Sequence, residues 1–148
     1  MMPRFVWVFL LLLGLTSPAW AAAAKRIVQV QVPATVAPGA TVAVSVSAST
    51  NAGAGEQIGF LHAEYSVDGG KSWTAFCYES NAGPSAVRTT QVTAGAAGTT
   101  MTVRARVAFR GGVAGDVDYN GAAIRWEDHW HNWSEPPARS ASVKVSGR

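Results

Sequence analysis

The run Asp116–Glu127 (DVDYNGAAIRWE) spaces oxygen-bearing side chains as a calcium ion needs them. Asp116, Asp118 and Asn120 alternate along the chain and can turn their oxygens toward one centre. Gly121 permits a sharp bend, the Ala122 carbonyl can add a ligand, and Glu127 can close the shell with both carboxylate oxygens. Ca2+ is the cofactor this pattern would take. Ile124 stands where such loops often carry a polar side chain that ligates through water.

The loop sits inside a longer stretch, Gly111–Pro137, that gathers most of the chain's unusual chemistry. Ala123, Trp126, Trp130 and Trp133 follow one another at i, i+3, i+7 and i+10, which predicts one face of a short helix. Asn120 would cap it and Pro136-Pro137 would stop it. A helical stripe of this kind favours burial. Left exposed, the same tryptophans would form a ligand-binding platform for sugar rings or an apolar partner. His129 and His131 are the other candidate ligand-binding residues. Their spacing suits one side of a strand, and a zinc site there would need Asp128 or Glu127 as a third ligand. The sequence contains no nucleophile elbow, His-Glu-x-x-His pair or Gly-rich phosphate loop.

The elements that must position these residues read as strands. Apolar and polar residues alternate with period two through Ile27–Val32, Thr41–Ala48, Phe60–Val67, Ser72–Glu79, Ala86–Thr93, Thr100–Arg110 and Ser140–Ser146. Thr100–Arg110 is the clearest: Met101, Val103, Ala105, Val107 and Phe109 point one way, and Arg104, Arg106 and Arg110 the other. Pro33, Pro38-Gly39 and Asp68-Gly69-Gly70 mark turns between strands. Seven short strands predict an all-β fold, a seven-stranded antiparallel β-sandwich with a long insertion before the last strand.

The ends and the composition bound what this fold can be. Arg4, the apolar run Phe5–Leu15 and the small residues around Ala19-Trp20-Ala21 read as a cleaved export signal over residues 1–21. Export would place the protein in the periplasm or outside the cell. What remains of the 148 residues makes one domain, 22–148, with a single core. The whole chain carries 12 basic and 9 acidic side chains, too even a balance to argue for nucleic acid or an anionic membrane. No later segment is apolar enough to span a bilayer. Cys77 is the one cysteine, so the domain has no internal disulfide, and it reads as a small buried side chain.

Two further segments carry resemblances. Pro33–Ala48 (PATVAPGATVAVSVSA) resembles the first two strands of bacterial fibronectin type III or immunoglobulin-like domains. Thr102–Gly112 (TVRARVAFRGG), with Trp133–Pro137 (WSEPP) and a final strand, resembles their sixth strand, loop and seventh strand. The resemblance implies a fibronectin-III-like sandwich in which the third, sixth and seventh strands share a sheet. His62, Glu64, Arg104, Arg106 and Lys144 would then share its outer face, as ion pairs or as a surface for an acidic ligand. Ser66–Trp73 (SVDGGKSW) resembles the Asp-box, with Ser66, Asp68, Gly70 and Trp73 as a structural turn. The Asp116–Glu127 run resembles the EF-hand calcium loop in spacing, although a strand and not a helix leads into it.

Together these features lead to the expectation of an exported, non-catalytic module, not an enzyme, that binds or assembles at the envelope or outside the cell. Its partner would be a protein or a polysaccharide. The alternatives are a carbohydrate-binding module with a tryptophan platform and a calcium-ordered loop, and a small metal-dependent hydrolase using His129 and His131.

Overall fold

The computed structural model describes residues 24–126 and 133–147. Residues 1–21, read as an export signal, lie outside them, as do Glu127, Asp128, His129, Trp130 and His131. The described residues form seven strands: β1 (Arg26–Gln31), β2 (Thr41–Thr50), β3 (Gln57–Ser66), β4 (Thr74–Ser80), β5 (Ser85–Thr93), β6 (Thr100–Arg110) and β7 (Arg139–Lys144). They divide into a three-stranded sheet, β1-β2-β5, and a four-stranded sheet, β4-β3-β6-β7, with every pairing antiparallel. The fold is therefore the all-β sandwich that the alternation predicts.

The core follows from that alternation. Val44 and Val46 from β2 and Val92 from β5 face Ile58 and Leu61 from β3 and Met101, Val103, Val107 and Phe109 from β6. All are essentially excluded from solvent. Burial of each such side chain contributes about 1.5–3 kcal/mol. Cys77 lies in the same core, and burial together with Glu79 pushes its thiol pKa up to about 12. It is an inert packing residue.

Two charged side chains on the inner side of the three-stranded sheet are paired across the sandwich. Arg26 on β1 makes a two-pronged contact with Glu56, Nε to Oε1 and Nη2 to Oε2 at 2.7 Å each. The Thr50 hydroxyl donates to the same carboxylate at 2.6 Å. At the other edge Arg88 on β5 pairs with Glu79 on β4. With these charges turned inward, the outer face of the three-stranded sheet is a neutral field of Gln29, Gln31, Ser45, Ser47, Thr89 and Gln91.

The stretch after β6 corrects the expected helix. No helix forms among the described residues: Ala123 pairs with Val117, and residues 124–126 have no regular secondary structure. Gly121 adopts a positive φ of 80°, and the chain doubles back there. Val117 bridges Phe109 on one side and Ala123 on the other, both antiparallel. The Ile124 N–H donates to the Asp116 carbonyl at 3.0 Å, and the Ile124 side chain packs on Phe60 and Ala108. Backbone pairing with the end of β6, together with a buried isoleucine, outweighs the helical spacing of the tryptophans. Trp126 and Trp133 consequently do not share a helical face.

Candidate functional site

The outer face of the four-stranded sheet is where the chemistry collects. A bulge at Gly59 sets its register. A Cβ at Gly59 would stand 2.4 Å from the Arg110 side chain, so only glycine lets that arginine cross. Beyond the bulge, Phe60, His62 and Glu64 point away from the core. They sit opposite Ala108, Arg106 and Arg104 on β6.

Trp133 and Trp73 turn this row into a stacked column. The Arg104 guanidinium lies 3.7 Å from the Trp73 ring centre and 4.0 Å from that of Trp133, so it is held between two indoles. Arg106 approaches Trp133 at 4.5 Å, and the His62 ring centre is also 4.5 Å from it. Each cation–π contact contributes about 0.5–2 kcal/mol, more where water is excluded. Glu64 completes the row by accepting from Arg104 Nη2 at 2.8 Å. Trp133 reaches this position with a φ of 58°, a backbone conformation that costs a bulky residue roughly 1–2 kcal/mol.

Arg106 is the largest fully buried side chain among the described residues, at 2% exposure. Its Nε and Nη2 both lie 3.2 Å from His62 Nδ1, and Nη1 donates to the Glu135 carbonyl at 3.4 Å. His62 Nε2 faces Glu64 Oε1 at 3.3 Å. The arrangement fixes the tautomer: Nδ1 accepts from the arginine and Nε2–H donates to the carboxylate. Burial, then the Arg106 charge, hold the His62 pKa below its ordinary value. Around this pair, Tyr78 makes edge contacts with both Phe60 and His62 at 5.0 Å and is 63% exposed.

The expected outer-face group is thus present, with His62, Glu64, Arg104 and Arg106 in one row and Lys144 on β7 at its far end. Lying face up on the sheet does not leave Arg106 solvated. The Trp133 segment covers it, and strand alternation carries no sign of that cover.

The Ser66–Trp73 turn is clamped by its own side chains. The Ser66 hydroxyl donates to Asp68 Oδ1 at 2.8 Å and accepts from Gly70 N–H at 2.8 Å. Asp68 Oδ1 also accepts the Lys71 and Ser72 N–H groups at 3.0 Å each. These bonds, led by those from Ser72, hold the Asp68 carboxyl well below the usual carboxylate range. Trp73 Nε1 donates to the Gly70 carbonyl at 3.1 Å. That bond fixes the ring which covers Arg104, so the turn serves the column.

The Asp116–Glu127 residues are placed differently from a converging ligand shell. Asp116 accepts from Arg110 at 3.3 Å and 3.1 Å and from Trp126 Nε1 at 2.8 Å. Asp118 Oδ1 accepts the Asn120 and Ala122 N–H groups at 2.7 Å and 3.1 Å, closing the turn on itself. Asn120 enters through its backbone, and Ala122 turns its carbonyl to the Asp118 N–H at 2.9 Å. Glu127 lies outside the described residues. Among the described residues no three His, Cys, Asp or Glu side chains gather closely enough to hold a metal ion. Of the tryptophans, Trp133 packs in the column and Trp126 covers Arg110 at 5.6 Å, while Trp130, His129 and His131 lie outside the described residues.

No family model matches this chain, and no curated protein matches it. Among solved structures it is similar to the superoxide reductase (neelaredoxin) from Ignicoccus hospitalis, with a TM-score of 0.44 and 10% identity over 85% of this chain and 84% of that one. Two variants of the same reductase give TM-scores of 0.40, with identities of 10% and 9%, over 85% and 84% of this chain and 83% and 82% of theirs. These neighbours are named as enzymes. The expectation of a non-catalytic module is corrected: a sandwich fold gives no warrant for excluding catalysis.

Proposed function

We propose that this protein recognises a partner through the outer face of its four-stranded sheet, and that the partner is a protein presenting acidic side chains. The observation that carries this reading is the asymmetry of the sandwich. One outer face carries no charged side chain and consists mainly of Ser, Thr and Gln, with Ile27 and Val87 as isolated exposed apolar residues. The other presents Tyr78, 63% exposed, beside Trp73, Trp133 and Arg104, with Phe60 and Arg106 buried beneath them. Tyrosine, tryptophan and arginine are the residues that concentrate binding energy in protein interfaces. Here Trp73, Trp133 and Arg104 are already held by stacking and hydrogen bonds, so little conformational freedom is lost on docking. The partly exposed Arg104 and the exposed Lys144 at the end of the row favour an acidic partner and speed encounter with it. On this reading the domain is fibronectin-III-like, supported by the three-plus-four division of its strands. It works outside the cytoplasm, supported by the leader read over residues 1–21.

The test is capture from the exported proteins of the cells that make it, by crosslinking at neutral pH. Tyr78→Ser is expected to abolish capture that Val87→Ser, on the opposite sheet, leaves intact. Loss with Val87→Ser and retention with Tyr78→Ser would place recognition elsewhere.

A further inference from the structure

The partner-docking reading says nothing of how that face is regulated, and the column has a titratable group at its base. His62 is 7% exposed and stands between two opposite demands. On its Nδ1 side are two N–H groups of Arg106 at 3.2 Å. On its Nε2 side is Glu64 at 3.3 Å. From β4, Tyr78 meets the ring edge. From β3, Phe60 does the same at 6.1 Å. Arg104 adds a second positive charge from β6. From the segment before β7, Trp133 covers the ring. Arg106, Glu64, Arg104 and Tyr78 are the charged and titratable neighbours among the described residues, and neutral His62 meets the two hydrogen-bonding demands, from Arg106 and Glu64.

We propose that protonation of His62 releases the Trp133 segment from the sheet, so that the docking face is assembled at neutral pH and taken apart by acid. The step is one proton taken from solvent onto Nδ1. That nitrogen then changes from acceptor to donor while facing two guanidinium donors, and a second positive charge appears beside Arg106. Arg106 cannot keep both its position and its charge there. Its guanidinium packs against Trp133 beside Arg104 and the His62 ring, and its Nη1 donates to the Glu135 carbonyl. Displacing it loosens the segment at two points. The positive φ of Trp133 favours departure, because that backbone relaxes once packing no longer holds it. Glu64 opposes release by accepting from the imidazolium, but Arg104 already holds its other oxygen at 2.8 Å. The inference rests on the docking reading for its purpose, not for its physics.

Fluorine NMR of 5-fluorotryptophan-labelled free protein tests it, with the Trp133 resonance identified by Trp133→Phe. Between pH 8 and pH 4.5 the Trp133 signal is expected to move to the solvent-exposed position. The open population should grow by up to about tenfold per pH unit, the limit for one proton. His62→Gln, which can accept from Arg106 and donate to Glu64, should hold Trp133 in place over the same range. His129→Gln with His131→Gln should leave the response unchanged. A Trp133 signal constant to pH 4.5, an equal response in His62→Gln, or loss of the whole fold at the same pH would each overturn the release. Because the signal is read without a partner, its failure is separable from a failure of capture through Tyr78.

Discussion

Arg106 and His62 share one contact on the outer face of the four-stranded sheet, with both Nε and Nη2 of the arginine 3.2 Å from a single imidazole nitrogen. The arginine is the more deeply buried of the two, at 2% against 7% exposure. A buried guanidinium is tolerated only where its donors are used. Here two go to the histidine and one to the Glu135 carbonyl, while Trp133 covers its face. The pair is therefore the joint between the sheet and the long connection that precedes β7.

The joint makes folding stability depend on pH with a defined sign. The His62 pKa is lowered in the fold from its ordinary 6.5. Above 6.5 both folded and unfolded chains hold a neutral imidazole, and the stability is fully present. Below 6.5 the unfolded chain takes up the proton first, so stability falls with falling pH until the folded value is passed. Urea denaturation from pH 8 to pH 5 should show this decline in the wild type and a flatter profile in His62→Gln. Equal slopes would mean another group dominates.

Lysine cannot replace Arg106. An ammonium lacks the planar fork that meets Nδ1 with two donors, and it gives Trp133 no flat surface. Arg106→Lys should cost about 1–3 kcal/mol in chemical denaturation. A change under about 0.5 kcal/mol, the range of ordinary surface substitutions, would show that charge alone matters at this site.

The sandwich was legible because its strands alternate cleanly. Met101 through Phe109 could have no other reading than a strand with one buried side, and the structure places that strand at Thr100–Arg110. The column was not legible. Trp73 and Trp133 come from distant turns and meet only through Arg104, so no local pattern in sequence links them. The bulge at Gly59 was equally hidden, since a lone glycine in a strand has many explanations. The helix expected after Asn120 failed for a physical reason. Spacing records where side chains would point on a helix, but the backbone of Val117 and Ile124 finds partners that a helix would forgo.

Glu56 is the other buried charge to test. Its side chain is 1% exposed and that of Arg26 is 11% exposed. Its pKa is lowered chiefly by the Arg26 hydrogen bonds. Removing one partner strands the other, so Glu56→Ala should cost about 3 kcal/mol, while adding Arg26→Met should recover a large part of it. Strict additivity of the two substitutions in a double-mutant cycle would count against the pair.

Ser66 is 1% exposed and ties the turn that carries Trp73. Ser66→Ala leaves the Gly70 N–H without its acceptor and should cost about 1–2 kcal/mol. The effect should also reach the column. If the turn positions Trp73, the substitution weakens its contact with Arg104, and the Trp73 fluorine resonance shifts. A stability loss with an unmoved Trp73 signal would confine the turn to its own hairpin.

Asp116 allows the two roles of the Gly121 loop to be told apart. As an internal acceptor it binds Arg110 and Trp126 whatever ions are present. As a calcium ligand it would matter only when calcium is bound. The pair with Arg110 is about one-third exposed on each side, so Asp116→Asn should cost only about 0.5–1 kcal/mol. The geometry predicts that this loss is the same in chelator and in millimolar calcium. The carboxylate is already engaged by three protein donors, and an ion would have to displace a guanidinium to reach it. A melting temperature that rises with calcium in the wild type, but not in Asp116→Asn, would reverse this assignment and make the loop a metal site.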